Sequence, residues 1–263
     1  MMVRPLFEGD RSQVIRLLEQ SPEHNLYMLG NLTSIGFSQS DLCQYWGDFS
    51  EQGRLRAVLN RYMVGWSIYG ESDADWKALG EMVDDYPTPA RRLQDNPIGI
   101  PSFLPYVVQY TPSKLSVQTL MSLESYSFKP AKEREDITIR RATMADLPAL
   151  VDFYADAEQM SRTAAGVEEP IQRTRLWFAE RNGQICSAAL TNAEVEQMAM
   201  IGGVYSVPER RGCGYSQAVC SALCADLLAE GKRPVLYWET PAAGAVYRHL
   251  GFDEVGDWRS VRF

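Results

Sequence analysis

The sequence predicts an α/β protein, with helices packed on a mixed α+β sheet and two successive domains. Three observations predict it. The run Val204–Ser216 passes from an apolar strand through a glycine loop into a long helical pattern. Residues 137–263 order as strand, helix, hairpin, strand, helix, strand, helix, strand. Between the halves lies Lys129-Pro130-Ala131-Lys132-Glu133-Arg134-Glu135-Asp136, which is charged, carries a proline and has no apolar period. Such a stretch reads as a linker, 129–136, between domains at 1–128 and 137–263.

In the first half, Met2 to Leu6 reads as a strand, and Asp10 to Gln20 has Val14, Leu17 and Leu18 at helical spacing. Leu26 to Leu32 continues as a second helix. Arg54 to Arg61 and Val64 to Tyr69 read as strands, and Trp76 to Val83 as an amphipathic helix. The second half opens with an alternating strand, Ile137 to Arg141. A helix follows from Met144 to Asp156, with Thr143 as N-cap and Asp146 in the first turn. Leu176 to Glu180 and Gln184 to Leu190 flank Asn182-Gly183, a strong hairpin signal. Met198 to Val207 is the next strand, and a helix from Tyr215 to Glu230 ends at Gly231. Pro234 to Glu239 reads as a strand, Pro241 to Leu250 as a helix stopped by Gly251, and Phe252 to Phe263 as a closing strand.

The loop after Val207 carries the chemistry. A strand feeding a helix through glycines presents unpaired N–H groups at the positive end of the helix dipole, which makes an anion site. Gly212 and Gly214 let a phosphate approach the backbone, and Arg211 adds positive charge. No Gly-Lys-Ser/Thr follows, so this is not a P-loop, and the dinucleotide G-x-G-x-x-G fingerprint is absent.

What remains is R-x-x-G-x-S at Arg211, Gly214 and Ser216. It resembles the pyrophosphate loop of the GCN5-related N-acetyltransferases (GNAT), Q/R-x-x-G-x-G/A, with serine in the last place. Downstream, Thr240, Ala243, Tyr247, Gly251 and Phe252 resemble that family's N-x-x-A-x-x-x-Y-x-x-x-G-F signature, with threonine for asparagine. The resemblance implies an acyl-CoA N-acyltransferase fold in 137–263 and transfer of an acetyl group from acetyl-CoA to an amine. The echo of the same element order in 1–128 implies a tandem arrangement with a degenerate first copy. There Gly70 is followed by Glu71-Ser72-Asp73, an acidic turn that repels phosphate.

The resemblance assigns the pyrophosphate to the backbone of Arg211, Gly212, Cys213, Gly214, Tyr215 and Ser216. It assigns the pantetheine arm to the main chain of Val204, Tyr205 and Ser206, and gives Thr240 a place at the same site. Tyr247 stands where relatives carry a general acid, and a phenol suits a thiolate leaving group. The other role open to it is packing. Relatives place a glutamate base on the strand six residues before Ser206, and Met200 stands there. Glu196 and Glu239 are the alternative carboxylates, and an already neutral amine needs neither. A non-catalytic module that binds acyl-CoA as a sensor is the alternative to an enzyme.

His249 lies two residues from Tyr247 on another helix face, and His24 has no partner visible in the sequence. Tyr237-Trp238 reads as strand core. Val167-Glu168-Glu169-Pro170 reads as a plain acidic, proline-ended turn, in the region that the resemblance places over the acceptor, where acceptor contacts are the alternative role. Five cysteines without paired spacing suit reduced thiols, and Cys220 and Cys224, one helical turn apart, read as small buried residues. With two histidines in the chain no metal site is expected. Net charge is −8, with 13 basic against 18 acidic residues through Asp136 and 13 against 16 after it. No basic stripe or Lys/Arg cluster appears, so nucleic acid is not expected as a partner, and the acidic balance is compatible with a small-molecule amine or peptide acceptor. The absence of a signal peptide or long apolar run leads to the expectation of a cytoplasmic protein outside the membrane.

Overall fold

A computed structural model describes residues 2–37, 42–95 and 99–263. In chain order the elements are β1 (Met2–Pro5), α1 (Arg11–Leu18), α2 (Leu26–Ser34), β2 (Cys43–Phe49), β3 (Leu55–Tyr62), β4 (Gly65–Gly70), α3 (Trp76–Asp84), β5 (Arg92–Asp95), α4 (Gly99–Phe103) and β6 (Lys114–Ser122). The second series is β7 (Thr138–Arg141), α5 (Leu147–Ala155), α6 (Ala164–Arg173), β8 (Leu176–Arg181), β9 (Gln184–Glu194), β10 (Met198–Ser206), α7 (Tyr215–Ala229), β11 (Arg233–Trp238), α8 (Pro241–Leu250) and β12 (Asp253–Arg262). Both series run strand, two helices, three strands, helix, strand, helix, strand.

The chain divides into two compact units. One holds the residues up to Leu120 together with Gly256–Phe263, and the other is Met121–Val255. In the first unit β1, β2, β3 and β4 pair antiparallel in sequence order, β4 pairs parallel with β5, and β12 closes antiparallel on β5. Its core gathers Trp46, Trp66, Trp76, Leu79, Phe103 and, from the far end of the chain, Val261.

In the second unit β7, β8, β9 and β10 pair antiparallel and β10 pairs parallel with β11. One sheet face carries α7 and α8, with Val219, Cys220, Leu223, Cys224, Leu227 and Leu250 buried. The other carries α5 and α6 over Phe178, Leu190 and Tyr205. Each leucine so buried contributes about 1.5–3 kcal/mol. Asn182 and Gly183 take φ of 52° and 75°, which the tight β8–β9 hairpin requires. Thr143 N donates to the Asp146 carboxylate at 2.9 Å, as the capping pattern predicts.

Two expectations are corrected. The segment Val167–Pro170 is no turn but the interior of α6, because Thr163 caps the helix at Gly166 N (3.2 Å) and Val167 and Pro170 bury one face. His24 does have partners: Ser21 Oγ lies 2.8 Å from Nδ1, the Asp257 carbonyl accepts from Nε2 at 2.9 Å, and the ring stacks on Trp258. Asp257 and Trp258 come from the far end of the chain, so local spacing could not show them. The stretch 129–136 is held inside the second unit. Lys129 N donates to Leu250 O, Ala131 N to Ser221 Oγ (both 2.9 Å), and Arg134 Nη1 to Cys213 O at 2.6 Å.

Arg175, only 4% exposed, staples β8 to β9 and α7. Its guanidinium meets Glu194 at 2.9 Å, Asp226 at 3.1 Å and Glu230 at 2.7 Å, and Lys232 adds a bond to Glu194 at 2.6 Å. Burial pushes the Glu194 carboxyl up, but hydrogen bonds from Arg175, Lys232 and Thr191 outweigh it and hold the group below its ordinary range. Arg175→Ala leaves Glu194 buried without its main partner, and the expected loss is about 3–5 kcal/mol of unfolding free energy at neutral pH. Urea titration measures it. The deficit shrinks as pH falls below the unfolded carboxylate value of about 4.3, because the wild type loses its charge pair there. A loss under 1 kcal/mol at neutral pH defeats this reading.

Candidate active site

The site begins where two parallel strands part. β10 and β11 are in register at Met198↔Arg233, Ala199↔Pro234 and Met200↔Val235, and the pairing ends there. Val204, Tyr205 and Ser206 therefore present backbone to the opening instead of to β11. A register shift between Gly202 and Tyr205 marks a bulge, and Gly203 takes φ of +59° within it. Bulges bend a strand and raise its twist, which is how the notch opens. Tyr154 fixes the bulge by donating its hydroxyl to Gly203 O at 2.7 Å. The Gly202-Gly203 pair inside a strand was the available signal for this bulge.

Past Ser206 the chain turns through a short 3-10 segment, Pro208–Arg210, and enters α7. Gly212 and Gly214 have φ of +76° and +79°, and a Cβ on Gly212 would meet open space. Gly214 is the α7 N-cap and supplies no side-chain bond, so the first-turn amides have no capping side chain to pair with. This is a cradle of backbone donors, fit for a pyrophosphate. Ser216 stands in that first turn and leaves the helix start intact.

Other side chains here have structural partners. Arg211 meets Glu158 at 3.0 Å and donates from Nε to Ser206 O at 3.3 Å. Cys213 is exposed. The Tyr215 ring is buried, its hydroxyl receives a bond from Arg181 (2.9 Å) and donates to Asp136 (3.1 Å), so only its backbone belongs to the cradle. Arg134, with smaller help from Tyr215, holds the Asp136 carboxyl down at about 2.

The second motif completes the opening. Thr240 caps α8, accepting from Ala243 N at 3.4 Å, which is the task an asparagine performs at an N-cap. A Cβ on Gly244 would sit 2.6 Å from the Trp238 ring, and one on Gly251 (φ +95°) would collide with Ser127 O. Both glycines are thus dictated by close approach. Tyr247 packs against Phe252 at 5.8 Å and is 6% exposed, and its hydroxyl makes no hydrogen bond among the described residues. Burial, then the neighbouring Cys220 and Cys224, push its phenol well above its ordinary value. Burial also pushes the Cys220 thiol up to about 12, so neither helix cysteine is a nucleophile at ordinary pH.

The carboxylates separate. Because β10 and β11 are parallel, Glu239 follows β11 at the same end as Ser206, and it is exposed. Glu196 lies in the β9–β10 turn at the opposite end of β10, roughly 30 Å along the strand from Ser206 at the usual rise per residue. The structure does not bring it to the opening. His249 bonds its own helix, Nδ1 to Ala245 O at 2.7 Å, and stays exposed.

The corresponding place in the first unit is built otherwise. β4 and β5 stay in register from Gly65↔Arg92 to Ile68↔Asp95. Asp75 caps α3 by accepting from Ala78 N at 3.1 Å, and Asp48 accepts from Asp75 N at 2.9 Å. Arg54 is bound by Glu71 and Asp73. Carboxylates take the donors that a phosphate would need.

Among the described residues no helix is long and apolar enough to cross a membrane, and no cluster of metal ligands is present. Residues 138–255 match the acetyltransferase (GNAT) domain family. An uncharacterized N-acetyltransferase encoded in the mutA 5′ region of Streptomyces virginiae is 30% identical over 105 residues, 38% of this chain and 43% of that protein. The match thus spans less than half of the relative's length. Among solved structures, a GCN5-related N-acetyltransferase from Sphaerobacter thermophilus has a TM-score of 0.69 at 17% identity, over 100% of this chain and 95% of its own. A tandem GNAT protein from the clavulanic acid biosynthesis pathway has a TM-score of 0.65 at 14% identity, over 99% and 97%. At those identities the likeness is one of fold. Two motifs, a parted parallel strand pair and a matching family model coincide on one segment, residues 138–255, which is similar to the GNAT acetyltransferase domain.

Proposed function

We propose that this chain is an acetyl-CoA-dependent N-acetyltransferase. It transfers the acyl group by direct attack of a primary amine, on a small molecule or a peptide, with catalysis in residues 137–263. The observation that carries the reading is the opening between β10 and β11 directly before an uncapped helix start at Gly214. Acetyl-CoA supplies the activated thioester. The amides from Arg211 to Ser216 hold its pyrophosphate, and the main chain of Val204–Ser206 holds its arm. The buried phenol of Tyr247 stays protonated at working pH and donates to the departing sulfur as the C–S bond breaks and the C–N bond forms. Glu239 takes the amine proton, directly or through water, a role supported by its position after β11 at the same end as Ser206. Residues 1–128 act as a degenerate copy that binds no coenzyme, supported by the shared element order and the capped α3.

Calorimetric titration with acetyl-CoA is expected to give one site per chain, and an amine panel to release free coenzyme A thiol. Two sites defeat the degenerate-copy reading. Binding without thiol release from any amine leaves a sensor module in place of an enzyme.

A further inference from the structure

The bulge on β10 holds a cation. Were Gly202 to carry a Cβ it would collide with the Asn192 amide, and a Cβ on Gly203 would lie 3.2 Å from Arg162 Nε. The two glycines therefore seat the Asn192 and Arg162 side chains flat against the bulged strand. Arg162 Nη2 donates to Asn192 Oδ1 at 2.8 Å, Nε is buried without a hydrogen-bond partner, and the Tyr154 ring lies 6.0 Å from the guanidinium. The backbone is pinned too, with Arg162 N donating to Tyr154 O at 3.3 Å.

Arg162 combines this seating with the lack, among the described residues, of a carboxylate partner. Arg134, Arg140, Arg175, Arg211, Arg233 and Arg248 of the same unit each meet a carboxylate within 3.2 Å. Among the described residues Arg162 meets none. Its one side-chain hydrogen bond is to a neutral amide, which orients the guanidinium without neutralising it. A half-buried, oriented and uncompensated guanidinium gains most from a planar anion, because carboxylate matches its fork in a bidentate pair.

Its place on the strand says which molecule brings the anion. Arg162 lies against Gly203, one residue before the Val204–Ser206 segment assigned to the pantetheine arm and eight before Arg211. The pyrophosphate belongs at the far end of that segment, so the anion at Gly203 comes with the other reactant. We propose that Arg162 receives a carboxylate of the acceptor, so the acceptor class is an amine that also carries a carboxylate, as a free amino acid does. This rests on the acyl-transfer reading above.

The test uses the full chain with acetyl-CoA and matched acceptors, a set of α-amino acids and their carboxamides, with thiol release as readout. The wild type is expected to prefer the carboxylate member of a productive pair by about 10²-fold in kcat/KM, carried mainly by KM. Arg162→Gln should bring that ratio close to one, and Arg162→Lys should keep part of it. Equal use of both members by the wild type overturns the proposal, and so does a variant that slows both equally. If acetyl-CoA binds but no amine is acetylated, the acyl-transfer reading fails by itself. Calorimetric titration of the same carboxylates into the coenzyme A-loaded protein then decides Arg162. Binding lost in Arg162→Gln upholds the anion site, and no binding to the wild type removes it.

Discussion

Gly214→Val is expected to weaken acetyl-CoA binding by 10²-fold or more. Gly214 has φ of +79°, where an L side chain costs about 1–2 kcal/mol, more when β-branched. A Cβ there would also press to 3.3 Å from Arg134 Nη1, which holds the loop by its bond to Cys213 O. Relief of either strain rotates the first amides of α7 away from their common focus. Each hydrogen bond to a charged phosphate contributes about 1.5–3 kcal/mol, so loss of two accounts for the effect. Gly231→Ala is the control, since Gly231 has φ of +76° at the other end of the same helix. It carries similar backbone strain and should leave the dissociation constant unchanged. Equal affinity for wild type and Gly214→Val in calorimetry would refute the cradle.

The second large effect belongs to Tyr247. Tyr247→Phe keeps the ring that packs on Phe252 and removes only the proton donor. Positioned general acids contribute about 10²–10⁴-fold, and kcat is expected to fall by about 10²-fold with coenzyme affinity unchanged. The sign of the pH dependence follows from burial, which raises the phenol above its ordinary value. The donor is therefore fully protonated through neutral pH, and it imposes no loss of rate until pH climbs past that raised value. Unchanged kcat in the phenylalanine variant would leave Tyr247 with a packing role only.

Local chemistry made much of this legible in advance. Asn182-Gly183 takes left-handed angles wherever it closes a hairpin, and Gly251 is glycine because Ser127 O leaves no room for a Cβ. The phosphate loop is likewise a matter of consecutive residues. Features that depend on distant partners were not legible. β2, Cys43–Phe49, is buried on both faces and so shows no alternation to read. Arg162 and Asn192 are thirty residues apart in sequence, and only the bulge at Gly202-Gly203 brings them together. The distance of Glu196 from the opening follows from strand direction, which composition does not carry.

The return of Gly256–Phe263 to the first unit has a consequence for how the chain is made. Leu93 of β5 pairs with Val261, and Trp258 and Val261 are buried there at 1% and 0% exposure. A nascent chain emerges from its amino end, so β5 waits with a bare edge while the residues up to 261 are added. At about 5–20 residues per second that wait is roughly ten to thirty seconds. Exposed strand edges recruit other chains, so this interval is when the protein is most in need of a chaperone. The half that is synthesised first is the half that finishes folding last.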